Sequence, residues 1–131
     1  MTKATLEHVN VSVISPRKTA DMMEALFGWT VRWHGLSSSG GESWHVGEEA
    51  TYVAFCENDQ PASPESKPEY NSVPRSGALN HIGILVDDLD AVEKRVSAAG
   101  FTPFNHDNYE PGRRFYFHDN DNIEFEVISY D

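Results

Sequence analysis

The segment around His8 returns 73 positions later around His81, and this repeat constrains the fold more than any other feature of the chain. Leu6-Glu7-His8-Val9-Asn10-Val11-Ser12-Val13 is matched by Leu79-Asn80-His81-Ile82-Gly83-Ile84-Leu85-Val86. A period of that length marks a duplicated supersecondary module, and each copy sets a histidine at the same point of its first strand. Two imidazoles fixed in this way are either the start of a metal site or an inheritance with no present use.

Each module reads strand, helix, strand, strand, strand. In the first, alternation over 6–13 sends Val9, Val11 and Val13 to one side and Leu6, His8, Asn10 and Ser12 to the other. The valine side is the surface for a helix to cover. Ser15 caps that helix, Pro16 suits its first turn, Ala20, Met23 and Phe27 form its apolar stripe, and Gly28 ends it. Strands follow over 29–33, 42–46 and 51–56, separated by the Ser37-Ser38-Ser39-Gly40-Gly41 loop and a turn at Gly47-Glu48-Glu49. The second module places a strand over 79–86. A helix then runs from Asp87 or Asp88 to about Ala99, with Leu89, Val92, Val96 and Ala99 on one face, and Gly100 stops it. Its remaining strands fall over 101–105, 113–117 and 123–129. Modules 1–56 and 79–131 are joined by a linker, 57–78, which holds four of the seven prolines, and together they make one domain of 131 residues.

Composition narrows the partners. Ten basic against 21 acidic residues give a net charge of −11, and such a surface repels nucleic acid and anionic membranes. No apolar stretch is long enough to span a bilayer, and Met1-Thr2-Lys3-Ala4 leads into a strand without a signal peptide. Cys56 is the lone cysteine and has no partner for an internal disulfide, which fits a cytoplasmic protein.

Strand periodicity also sorts the polar groups. Ile82, Ile84 and Val86 pack on the second helix, so His81, Gly83 and Leu85 face away from it, as His8 faces away from the first. On the last strand Ile123, Phe125 and Val127 face the helix, while Glu124, Glu126, Ile128 and Tyr130 face inward. Two modules packed edge to edge, helices outside, would leave both histidines on one concave surface. A carboxylate on that mostly apolar face needs a partner. His8 and His81, bridged by a divalent cation, would supply one; Glu124 and Glu126 otherwise simply flank an edge strand. Two imidazoles and one carboxylate leave open positions on Zn, Mn, Fe or Ni.

With these motifs the chain resembles the vicinal-oxygen-chelate superfamily, which includes glyoxalase I, extradiol dioxygenases, methylmalonyl-CoA epimerase, and fosfomycin- and bleomycin-resistance proteins. The resemblance rests on Leu6-Glu7-His8-Val9, Leu26-Phe27-Gly28-Trp29, Leu79-Asn80-His81-Ile82-Gly83 and the run from Arg114 to Asn122. That run is similar to the family's aromatic strand and Asp-Pro-Asp-Gly turn, with Asn120 for the proline and Asn122 for the glycine. Asparagine tolerates positive φ, so the turn survives. The resemblance implies an α+β fold in which two βαβββ modules form a half-open barrel with helices outside, and a homodimer. It also implies one divalent metal ion held by His8, His81 and Glu126, with Glu124 replacing Glu126 if the turn has slipped. The fourth glyoxalase ligand maps to Ala54, which cannot bind metal, so lactoylglutathione lyase activity is not implied.

The expected function is that of a metal-dependent enzyme (lyase, isomerase, thiol transferase or dioxygenase) acting on a small oxygenated molecule. Tyr52, Glu124, Tyr109 and His45 are candidates for acid–base work beside Glu126. Asn10, Tyr109, Arg113 and Arg114 are candidates for contact with substrate; an arginine entering its strand after Gly112 would hold a carboxylate or phosphonate, or both arginines offset local acidity. Trp33 and Trp44 read as core or cavity wall. The alternatives are a metal-free small-molecule-binding protein, like the bleomycin-resistance proteins, and an accessory module that kept the site by descent.

Overall fold

The computed structural model describes residues 5–37, 41–57, 78–109 and 112–131, apart from the side chains of Asn108 and Tyr109. The chain divides into two compact units, Met1–Ala62 and Ser63–Asp131. The expected linker lies, from 58 to 77, outside the described residues. So do Met1-Thr2-Lys3-Ala4, residues 38–40 of the serine-glycine loop, and Glu110 and Pro111.

The first unit contains β1 (His8–Val13), α1 (Pro16–Phe27), β2 (Thr30–Leu36), β3 (Glu42–Gly47) and β4 (Tyr52–Glu57). They form an open mixed sheet in the order β1-β4-β3-β2, with β1 parallel to β4 and the other neighbours antiparallel. The second unit repeats the plan with β5 (Ile82–Leu85), α2 (Leu89–Ala98), β6 (Phe104–Tyr109), β7 (Gly112–His118) and β8 (Glu124–Ser129), in the order β5-β8-β7-β6. The α+β class and the repeated βαβββ module are as the sequence predicts, and neither sheet closes into a barrel.

Local chemistry explains both helices. The Ser15 side chain accepts the Lys18 N–H at 3.3 Å, Pro16 opens the first turn, and Gly28 at φ 71° donates its N–H to the Glu24 carbonyl. Thr19, Ala20, Met23 and Leu26 form the buried stripe; Leu26, rather than the expected Phe27, closes it. Asp88 caps α2 by accepting the Ala91 N–H, and Leu89, Val92 and Val96 are buried. Helix α1 packs on β2, β3 and β4. Val11, paired with buried Phe55, and Val13 are buried, whereas Val9, at the start of the edge strand, stays 38% exposed.

The strand expected over 101–105 is displaced to Phe104–Tyr109. Its supposed first residues serve instead as the stop of α2. Gly100 sits at φ 95°, its N–H bonds the Ser97 carbonyl, and the Phe101 N–H bonds the Val96 carbonyl. This paired cap satisfies the last carbonyls of the helix and swings Phe101 onto Phe117, ring centroids 5.6 Å apart. Ala99 is the exposed C-cap and takes no part in the buried stripe.

Phe115, Phe117, Phe125 and Val127 fill the core between α2 and the sheet. The β7–β8 turn then fixes the register on the opposite face. Asn122 adopts φ 61°, as the turn requires, and buried Asp119 accepts the N–H groups of Asp121 and Ile123 at 2.9 Å each. Burial pushes the Asp119 carboxyl up to about 6, against the opposing pull of those hydrogen bonds.

Candidate functional site

In the second unit, the face opposite α2 carries the polar groups. Register pairs Glu126 with Tyr116 on β7 and Gly83 on β5, and pairs Glu124 with His118. His81, just before β5, leans over both glutamates. Its Nε2 lies 3.1 Å from Glu126 Oε2 and its Nδ1 3.9 Å from Glu124 Oε2. The other Glu126 oxygen accepts Arg114 Nη1 at 2.9 Å, and His118 Nε2 lies 3.4 Å from Glu124 Oε1. Both glutamates are largely shielded, with 14% and 13% of their side chains exposed. Gly83 leaves open space beside Glu126, since a Cβ there would meet nothing within 4 Å.

The His81 ring is oriented from behind. Its Nδ1 donates to Asn80 Oδ1 at 2.8 Å, so in the neutral ring Nε2 turns a lone pair toward Glu126. Two lone-pair atoms at 3.1 Å repel unless positive charge lies between them, supplied by a proton or a metal ion. Two donors each about 2.1 Å from one ion and at right angles to each other are about 3 Å apart, so this pair fits a divalent cation. Charge agrees: Arg114 offsets one of the two carboxylates and leaves the other. Among the described residues, no three His, Cys, Asp or Glu side chains are gathered into a complete cage.

In the first unit, His8 repeats the second-unit arrangement. Its Nδ1 donates to Glu7 Oε1 at 2.9 Å, as that of His81 donates to Asn80, leaving Nε2 to act. Opposite it on β4 stands Tyr52, whose ring stacks on the imidazole with centroids 4.9 Å apart. The Tyr52 hydroxyl donates to the same Glu7 oxygen at 3.4 Å. Hydrogen bonding to His8 holds the Glu7 carboxyl below its ordinary range, whereas burial and the Glu7 charge push the Tyr52 hydroxyl up. His45, stacked on Tyr52 and packed against Trp33, is pulled below the usual imidazole range by burial and then by the His8 and Arg32 charges. Ala54 pairs with Asn10 and His45 just as Glu126 pairs with Gly83 and Tyr116, so it occupies the Glu126 position of this unit.

The sequence-derived residues therefore fall into two groups. Within the second unit His81, Glu124, Glu126 and Arg114 come together. Within the first, His8, Tyr52 and His45 do, with exposed Asn10 on the same face. Arg113 points to the other side of β7 and pairs with Asp90 of α2 at 2.9 Å, and Arg114 is engaged with Glu126. Both arginines thus meet local acids. Tyr109 ends β6, and its side chain lies outside the described residues. Trp33 is 47% exposed rather than core. Two residues escaped sequence reading. His118 was legible, because it shares the period-two face of Arg114 and Tyr116. Arg32 was not: a bulge between Val31 and Trp33 turns both Arg32 and Trp33 onto the His8 face, and alternation carries no sign of it.

The sequence profile of the Glyoxalase/Bleomycin resistance protein/Dioxygenase superfamily matches residues 7–117. The chain belongs to that superfamily. No curated protein matches it in sequence. Among solved structures, the superfamily fold is shared with a glyoxylase/bleomycin resistance protein/dioxygenase domain from Frankia sp. EAN1pec, 17% identical, TM-score 0.75, covering 99% of this chain and 94% of that one. The fosfomycin resistance protein FosX from Listeria monocytogenes, complexed with Mn(II) and sulfate, is 18% identical with a TM-score of 0.71, covering 98% and 93%. FosX from Mesorhizobium loti is 22% identical with a TM-score of 0.68, covering 96% and 91%. At such identities the likeness establishes the superfamily fold.

Proposed function

We propose that this protein is a divalent-metal-dependent enzyme acting on a small oxygenated molecule, with His8, His81 and Glu126, from one chain or from two, as the ligands. The observation that carries this reading is the 3.1 Å approach of His81 Nε2 to Glu126 Oε2, with the far side of the ring already committed to Asn80. His8 is prepared in the same way by Glu7. Mn(II) is the first ion to test, because it accompanies FosX of L. monocytogenes.

When bound, the ion supplies a Lewis-acid centre for negative charge developing on substrate oxygen. This chain's own residues do the rest. Glu124, set between His81 and His118, is the acid–base candidate nearest the ligands. Tyr52, its hydroxyl raised above the ordinary range, is a proton donor at neutral pH rather than a base. Gly83 leaves room for a ligand beside Glu126. Lyase, isomerase, transferase and dioxygenase chemistry all suit these groups.

Elemental analysis of protein purified without added metal tests the reading. Near-stoichiometric metal, lost in both His8→Ala and Glu126→Ala, supports it; a metal-free protein that takes up no first-row divalent ion refutes it. One observation favours a metal-free binding protein as the second reading. Arg114 already gives Glu126 a cationic partner, so a proton on His81 would complete the charge balance. A homodimer, the assembly implied by the resemblance, is expected to elute at twice the 14.7 kDa chain mass in light-scattering chromatography; a monomer at all concentrations contradicts it.

A further inference from the structure

We infer that Arg32 is an oxyanion-binding residue, which takes the carboxylate or phosphonate end of the small molecule. The assignment of that oxyanion to a substrate rests on the proposed function; the oxyanion site itself does not.

The β-bulge is the first ground. Regular alternation after Val31 would send Arg32 and Trp33 to opposite faces; the bulge sends both to the face of His8, Tyr52 and His45. The Arg32 guanidinium carbon then sits 4.5 Å from the centroid of the Tyr52 ring. A guanidinium held over a ring by its Cζ still carries five N–H donors, and a planar pair of them can fork onto an oxyanion. The ring contact also restrains a side chain whose freedom would otherwise be lost on binding.

Charge is the second ground. Among the described arginines, Arg113 and Arg114 each meet an acid, whereas Arg17, Arg32 and Arg95 do not, and of these three it is Arg32 that lies over an aromatic ring. Among the described residues, Arg32 has no carboxylate within ion-pair distance. The nearby acid, Glu7, has its Oε1 engaged by His8 and Tyr52. Arg32 is thus an exposed cation set over an aromatic ring.

Reach is the third. Tyr52 lies 4.5 Å from the guanidinium and 4.9 Å from the His8 ring, so the two groups are at most about 9.4 Å apart. A molecule of a few bonds spans that interval, with its anionic end on Arg32 and its oxygens toward His8. Arg113 and Arg114, the arginines proposed from sequence for substrate contact, each meet a local acid, and Arg32 is a further arginine for that role.

Phenylphosphonate, titrated into metal-free protein and followed by NMR, is the test. Wild type is expected to bind it at millimolar or lower concentration, with shifts at the Arg32 Nε–H and the Tyr52 ring. Arg32→Met weakens binding by about tenfold or more, Arg32→Lys weakens it by less because charge remains without the fork, and Arg17→Met on α1 leaves it unchanged. Matching thermal unfolding of the variants shows that the fold is intact. No binding by wild type, binding by Arg32→Met equal to wild type, or an equal loss in Arg17→Met overturns the inference. Because no metal is present, the outcome is separable from the proposed function: Arg32-dependent binding in a protein that takes up no Mn(II) upholds the oxyanion site and refutes the metal reading.

Discussion

Asp119→Asn offers a quantitative probe of the turn that sets the register of Glu124 and Glu126. The Asp119 carboxyl rises from 3.8 to about 6 on folding, chiefly through burial. A carboxyl raised in this way holds more protons in the folded than in the unfolded state between those two values, so stability falls as pH climbs through that window. At 1.36 kcal/mol per unit, the penalty is about 3 kcal/mol at pH 7.5 and about 1 kcal/mol at pH 4.5. Asparagine keeps the oxygen that accepts the Asp121 and Ile123 N–H groups and carries no charge. The variant should therefore gain about 2 kcal/mol more, relative to wild type, at pH 7.5 than at pH 4.5. Urea unfolding at both pH values measures the difference, and the subtraction cancels the other carboxylates, including Glu7 and Asp90, whose lowered values act in the opposite sense. A gain independent of pH, or a loss at pH 7.5, would show that burial does not govern this carboxyl.

Two further outcomes are specific to single residues. Gly83→Val adds a Cβ where nothing lies within 4 Å and two γ-methyl groups on the strand facing Glu126, so it should lose Mn(II) uptake while matching wild type in thermal unfolding; unaltered uptake by calorimetry in a folded variant counts against the site. Gly28→Ala should cost about 1 kcal/mol in urea unfolding, from the left-handed φ of 71° alone, since its added methyl also meets open space; a loss of several kcal/mol would mean a packing role not visible here.

Much of this was legible because period-two alternation is a strong signal wherever one sheet face is buried. It set His81, Glu124 and Glu126 opposite Phe125 and Val127; the two glutamates lie across from buried Phe125 and Val127 on β8, and His81 comes within 3.9 Å of both. The helix ends were equally clear, since Ser15, Pro16, Gly28 and Gly100 each meet a backbone requirement that few residues satisfy. Failures came where tertiary or backbone detail overrides periodicity. Phe101 reads as strand by composition but is claimed by the cap of α2. For Arg113 and Arg114 the alternative that both offset local acidity is the one the ion pairs match, each on its own side of β7. Arg32 depended on one extra residue in β2, and a bulge leaves no mark in a hydrophobic pattern.

Calorimetric titration of Mn(II) into metal-depleted protein is the most direct measurement. Binding of one ion per chain by wild type, abolished in His81→Ala and Glu126→Ala and sharply weakened in Asn80→Ala, is the predicted result. No binding heat for wild type, or an isotherm that Glu126→Ala leaves untouched, contradicts the metal centre.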